Sequence, residues 1–213
     1  MGLWERFDPE DLATASAFQK RPALVWGWYE WRRARVIGSK PNEGHLAIAR
    51  WTQFMPVSVI TQNVDDLHER AGSGEVIHLH GSLFSPRCFD CQTPYAIAQS
   101  AGDIASNQPM PPPHCPHCDG LIRPGVVWFN EALPRREWSD AVALCHAADL
   151  MIVVGTSALV YPAASLPEVA TRSGGTLVTV NPNATPLDSR ADFVIRGTAG
   201  DVLPRLLRAA VEK

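Results

Sequence analysis

The sequence predicts an α/β protein built on a parallel sheet, with a small cysteine-rich module inserted into it. Three observations predict this class: short apolar, β-branched runs that end in polar residues or glycine, helical patterns lying between them, and two Cys-x-x-Cys pairs in a stretch with few strand-like runs. A length of 213 residues allows one main domain and one small insertion. We expect residues 1–86 and 124–213 to form the main domain and 87–123 the insertion.

Pro22 to Arg35 places Leu24, Trp28 and Trp31 at helical spacing, which predicts an amphipathic helix. Asn42 can cap a second helix over Glu43 to Phe54. Val57-Ser-Val-Ile60 then changes the period and reads as a buried strand ending in Thr61-Gln62-Asn63. Three later runs repeat that signal: Leu150 to Val154 before Gly155-Thr156-Ser157, Thr176 to Val180 before Asn181-Pro182-Asn183, and Phe193 to Ile195 before Arg196-Gly197. Helical patterns over Glu137 to Ala147 and Ala163 to Arg172 separate them. In such sheets ligands bind beyond the C-terminal ends of the strands, so the polar residues there mark the functional face.

Lys and Arg number 19 against 22 Asp and Glu, a net charge of -3, which argues against nucleic acid as a partner. No run reaches membrane-spanning length, the first residues have no apolar leader pattern, and Arg6 stands where a myristoylation signal needs Ser or Thr. A cytoplasmic protein with no membrane partner is expected, and a monomer fits.

Four of the five cysteines form Cys88-Phe-Asp-Cys91 and Cys115-Pro-His-Cys118, which enclose 23 residues. Each pair can turn two thiolates toward one ion, and two such knuckles complete a closed tetrahedral shell. One structural Zn2+ per chain is expected, with Cys88, Cys91, Cys115 and Cys118 as ligands. His114 and His117 are alternative ligands beside better placed thiolates. Cys145 lies in an apolar helical context and reads as a buried structural thiol.

The order of Thr61-Gln-Asn-Val-Asp-Asp-Leu-His68, His78-Leu-His-Gly81, the two cysteine pairs, Pro124-Gly-Val-Val-Trp-Phe129 and Gly155-Thr-Ser157 resembles the sirtuins. The resemblance runs from Gly2 almost to the C-terminus and is similar to the bacterial group related to desuccinylating members. It implies a Rossmann-like parallel sheet with an inserted zinc module, and NAD as co-substrate. It also implies a cleft in which NAD meets an acylated lysine of a protein substrate, and products nicotinamide, O-acyl-ADP-ribose and free lysine. By resemblance His80 is the general base, a role that suits an imidazole whose pKa is ordinarily about 6.5. Gln62, Asn63, Val64 and Asp65 match the ribose and nicotinamide pocket. Gly155, Thr156 and Ser157 match contacts to the NAD phosphate and ribose, Asn181, Pro182 and Asn183 the adenosine ribose, and Ala199 the adenine. Val127, Trp128 and Phe129 resemble the strand that pairs with the substrate peptide.

Tyr29 and Arg32 lie three apart on the first predicted helix and can point to one side. In the desuccinylating group a Tyr-x-x-Arg pair here reads a carboxylate, which implies preference for succinyl or malonyl lysine over acetyl. Read without the resemblance, Arg32, Arg33 and Arg35 are a solvated basic face and Tyr29 a packing aromatic. The family's Gly-Ala-Gly phosphate loop and its strand precede the Gly2-Leu-Trp4 match and occur nowhere later, so the expected sheet is N-terminally truncated, with a start assigned too far downstream as the favoured cause. The alternative function is an inactive binding protein or pseudoenzyme that keeps the acyl-lysine groove.

Overall fold

The computed structural model describes residues 12–97, 105 and 108–211; the Gly2-Leu-Trp4 match lies outside the described residues. The chain divides into two compact units, the first holding residues up to Lys40, Asn63–Asp66 and His80–Pro134, the second Pro41–Gln62, Leu67–Leu79 and residues from Arg135 onward.

In the first unit, α1 (Ala15–Lys20) begins at Thr14, whose hydroxyl accepts from the Ala17 amide, and α2 (Pro22–Ile37) follows with proline at its first position. The expected amphipathic helix is instead buried over six consecutive residues, Val25 to Glu30, so its apolar surface wraps most of the circumference. Arg33 on this helix is also buried and pairs with Glu30, its Nη2 2.6 Å from Glu30 Oε2. Two short strands, β3 (Arg87–Cys88) and β4 (Ile122–Arg123), pair antiparallel. The stretch 87–123 shares its core with the helices: Cys88, Cys115 and Ile122 pack with Phe18, Val25, Trp28 and Trp128 in one cluster.

The second unit carries the parallel strands in two ladders. Strand β1 (Val59–Thr61) pairs with β2 (Val76–His78), Val59 opposite Val76. Strands β5 (Leu150–Val154), β6 (Thr176–Val180) and β7 (Phe193–Ile195) form the second ladder in that order. Helix α3 (Glu43–Trp51) starts at Asn42, whose Oδ1 accepts from the Gly44 and His45 amides, and it ends three residues short of Phe54. Helices α5 (Arg135–Ala147) and α6 (Leu166–Arg172) and the C-terminal α7 (Ala199–Val211) complete the unit, with α4 (Leu67–Arg70) a single turn. A 3-10 turn, Ala163–Ser165, takes the first part of the helix expected from Ala163. Ala47, Trp51, Val178, Val180, Val202, Leu203 and Leu207 make the core between α3, β6 and α7. No helix among the described residues is long and apolar enough to cross a membrane.

Candidate functional site

The four paired cysteines meet in the first unit, their sulfurs all within 4.8 Å of one another. Cys88 and Cys118 Sγ are 3.5 Å apart and Cys91 and Cys115 Sγ 3.7 Å, close to the roughly 3.8 Å edge of a tetrahedron with metal–sulfur bonds of about 2.3 Å. The Cys91 amide donates to Cys88 Sγ and the His117 amide to Cys115 Sγ, as thiolate ligands require of a knuckle. Hydrogen bonding with Thr93 pulls the Cys91 thiol down to about 6. The donor set fits a structural zinc ion and leaves no open position. The His114 ring bonds the Asp119 carbonyl at 2.8 Å instead of turning to the sulfurs. Cys145 is buried on α5, and burial pushes its thiol up to about 11, the state of an inert core thiol.

His80 follows β2 by two residues and is fixed by main-chain contacts within the first unit. Its carbonyl accepts from the Val127 amide at 2.8 Å, and Gly81 bridges Val126 antiparallel. Gly81 has φ +71°, and a Cβ there would lie 2.2 Å from the Gly125 carbonyl, so only glycine allows this close pass. The imidazole is thereby carried on a rigid turn. Val64 is stapled nearby in the chain's architecture, its carbonyl accepting from the Leu83 amide. Asn63 is exposed and Asp65 half-buried, while Gln62 ends the β1 segment of the second unit.

Tyr29 and Arg32 do share one side of α2. The Arg32 guanidinium lies over the Trp28 ring, 4.9 Å from its centroid, and 5.6 Å from that of Tyr29. Burial lowers the Arg32 pKa, opposed by Tyr29 and by the charge of Asp65. Burial pushes the Tyr29 phenol up to about 12, so it stays protonated. The basic-face alternative fails for Arg33, which is buried against Glu30, whereas Tyr29, 3% exposed, is the packing aromatic that the same alternative describes. Sequence reasoning found this pair but missed what surrounds it. Trp128 Nε1 donates to the Tyr29 hydroxyl at 3.1 Å, Arg123 stacks 3.6 Å above the Trp128 ring, and Glu131 receives Arg123.

The backbone of 127–129 is engaged within the first unit. The Val127 amide goes to the His80 carbonyl, the Trp128 amide to Glu131 Oε2 and the Phe129 amide to the Ala13 carbonyl, and the Trp128 carbonyl accepts the Glu131 amide.

In the second unit the three strand ends are tied together. Gly155 adopts φ +65° after β5 and its amide donates to the Val180 carbonyl; a Cβ there would meet nothing within 4 Å, so the left-handed backbone, rather than crowding, selects glycine. Asn181, buried, donates from Nδ2 to the Thr156 carbonyl and accepts the Asn183 amide on Oδ1. Arg196 donates to the Asn183 carbonyl and to Asp188. Asp188 also accepts from the Thr185 amide and from Thr179. Thr156 Oγ1 accepts from the Ala158 amide, Ser157 and Pro182 are exposed, and Ala199 opens α7. Asp188 and Arg196 were missed because only the fold brings them under the 181–185 loop.

A parallel α/β unit with polar strand ends, combined with a four-cysteine knuckle and a histidine on a glycine turn, defines a nucleotide-type α/β protein with an accessory metal module. Residues 1–162 match the model of the Sir2 family. The chain is 52% identical over 211 residues to an "NAD-dependent protein deacylase" of Mycobacterium tuberculosis (strain ATCC 25177 / H37Ra), covering 97% of this chain and 86% of that one. It is 50% identical over 210 residues to the protein of that name from Methylococcus capsulatus, covering 98% and 82%. A Sir2 homolog–NAD complex superposes with a TM-score of 0.90 at 47% identity, over 99% of this chain and 80% of that chain. Sir2Tm bound to a propionylated peptide gives 0.83 at 32% identity, over 96% and 85%. The chain belongs to the Sir2 family.

Proposed function

We infer that this chain is an NAD-dependent protein deacylase, removing acyl groups from lysine side chains. The observation that carries the reading is the 52% identity over 97% of the chain to a relative of that name. NAD, when bound, would supply the glycosidic bond to nicotinamide that breaks, and with one water consumed the acyl group leaves as O-acyl-ADP-ribose and lysine is freed as the amine.

His80 is assigned as general base, taking a proton from a ribose hydroxyl; its turn, fixed by the Val127 amide and the Gly81 bridge, supports that role by holding the ring in place. Gln62, Asn63, Val64 and Asp65 orient the ribose and carboxamide. Gly155, Thr156 and Ser157 receive phosphate and ribose, Asn181, Pro182 and Asn183 the adenosine ribose, and Ala199 the adenine through its backbone. The substrate peptide pairs along Val127, Trp128 and Phe129. Tyr29 and Arg32 read an acyl carboxylate, so succinyl and malonyl groups are favoured over acetyl: two donors, one permanently charged, point from one side of α2. Cys88, Cys91, Cys115 and Cys118 hold one structural Zn2+. The paired reduced thiols support a cytoplasmic setting.

Incubation with NAD and a succinyl-lysine peptide should release nicotinamide and a product with the mass of O-succinyl-ADP-ribose. His80→Tyr should lower turnover of every acyl peptide by about 100-fold or more while zinc content stays unchanged. ADP-ribose attached covalently to protein, without peptide deacylation, would instead mark an ADP-ribosyl transferase.

A further inference from the structure

We propose that Trp128, clamped by Glu131 and Arg123, is a positioning residue for acyl selectivity: it occupies the acceptor side of the Tyr29 hydroxyl, leaving that hydroxyl to act as a donor toward an acyl carboxylate. The proposal rests on the acid-acyl reading above and deepens it.

The argument begins with donor and acceptor identity. An indole Nε1–H can only donate, so in the 3.1 Å contact the Tyr29 oxygen must accept. Arg32, whose guanidinium lies 5.6 Å from the Tyr29 ring centroid, is likewise a donor without acceptor capacity. The indole fills a lone pair of the phenol oxygen, and neither neighbour can receive its proton. The hydroxyl proton is satisfied only by an acceptor brought from outside this trio, and a carboxylate meeting Tyr29 and Arg32 together supplies one. Burial keeps the phenol protonated, so the donor persists across physiological pH.

The indole itself has little freedom. Trp128 is 2% exposed, and its ring is stacked under the Arg123 guanidinium at 3.6 Å with Phe18 5.5 Å away on centroids. Glu131 grips both sides of that stack: Oε2 accepts the Trp128 amide at 2.8 Å and the Arg123 Nη2 at 2.8 Å, while Oε1 accepts Arg123 Nη1. Arg123 also donates to the Val126 carbonyl at 3.1 Å. A bidentate pair at one end and a single indole bond at the other thus fix the phenol's acceptor side.

The test measures dissociation constants of fluorescent succinyl-lysine and acetyl-lysine peptides of one sequence by anisotropy, on the full chain, and takes their ratio. Trp128→Phe keeps an aromatic ring beneath Arg123 but removes Nε1–H together with part of the indole's volume; the succinyl preference should fall about fivefold or more, the scale of a charge-assisted hydrogen bond made less often. Glu131→Gln, which keeps an acceptor for the Trp128 amide but loses the charge on Arg123, should move the ratio the same way by a smaller factor and serves if Trp128→Phe does not fold. Tyr29→Phe and Arg32→Met report on the underlying reading. If these two lower the preference while Trp128→Phe and Glu131→Gln leave it within about twofold, the positioning role is overturned and the acid reading stands. If all four leave it unchanged, the acid reading falls and the proposal with it.

Discussion

In the second unit, five consecutive residues of β5 and five of β6 pair in parallel, and the core above them is aliphatic with one tryptophan: Ala47, Trp51, Val178, Val180, Val202, Leu203 and Leu207. Among the described residues the first unit has two strands of two residues each and a core rich in rings and cysteines, crossed by one buried ion pair, Glu30–Arg33, and one half-buried pair, Arg123–Glu131. One unit is ordered by periodic apolar burial, the other by a small number of specific polar and sulfur contacts. The difference teaches where each should break: a periodic core loses stability in proportion to volume removed, whereas a specific contact fails at once when one partner goes.

The largest expected effect is therefore loss of the metal ligands. Cys88→Ser should abolish stoichiometric zinc and strip hydrogen-exchange protection from residues 87–91 and 115–122, where knuckle amides donate to sulfur. Structural zinc binding reaches about 10–16 kcal/mol in small peptides, so no compensating packing in this ring-rich core can replace it. Amides of β5 and β6 should keep their protection. Equal loss in both units would erase the contrast.

Next in size is Arg33→Met, which leaves the Glu30 carboxylate in a site where its partner is 4% exposed and should cost about 3–5 kcal/mol in a denaturant titration. The double change Glu30→Leu with Arg33→Met should recover most of that loss, because the penalty lies in the orphaned charge. The comparable change in the second unit, Leu203→Ala on α7, removes a side chain 1% exposed and should cost about 2–5 kcal/mol with no rescue from a second polar change.

These two routes to order also decide what the sequence could tell. Strands Leu150–Val154, Thr176–Val180 and Phe193–Ile195 stand at the boundaries their apolar runs predict, because a parallel strand writes itself as a local apolar run, although only Thr176–Val180 is buried and Leu150, Phe193 and Val194 are exposed. The cysteines were legible through residue type and spacing, whereas His80 and the Tyr29–Arg32 pair were named through the resemblance and their roles belong to the proposed function. Contacts that join distant residues were not: Trp128 meets Tyr29 across 99 positions, and nothing local marks Glu131 as the acceptor that holds both Trp128 and Arg123. Helix α2 misled because Val25 to Glu30 bury every face, so spacing of Leu24, Trp28 and Trp31 describes only part of its surface. Helix α7 contains Pro204, which masks its start-to-end pattern, and β2 is only three residues long.

The smallest expected effects separate the two units by pH. Tyr29 in the first unit has its pKa raised by burial from 10.0 to about 12; its contribution to stability is complete below pH 10 and is lost as pH rises toward 12, where the unfolded chain ionises first. Asp188 in the second unit is held well below the usual carboxylate range, first by its hydrogen bond from Arg196 and then by the Thr185 amide. Its contribution is present above the ordinary carboxylate pKa of about 3.9 and is lost as pH falls below it. Melting temperature measured against pH should therefore decline at both ends for different reasons. Tyr29→Phe should flatten the alkaline decline and leave the acid side alone, while Asp188→Asn should flatten the acid decline and leave the alkaline side alone. If either substitution changed both limbs alike, the assignment of one titrating group to each unit's polar network would be wrong, because a raised phenol and a depressed carboxyl act in windows that do not overlap.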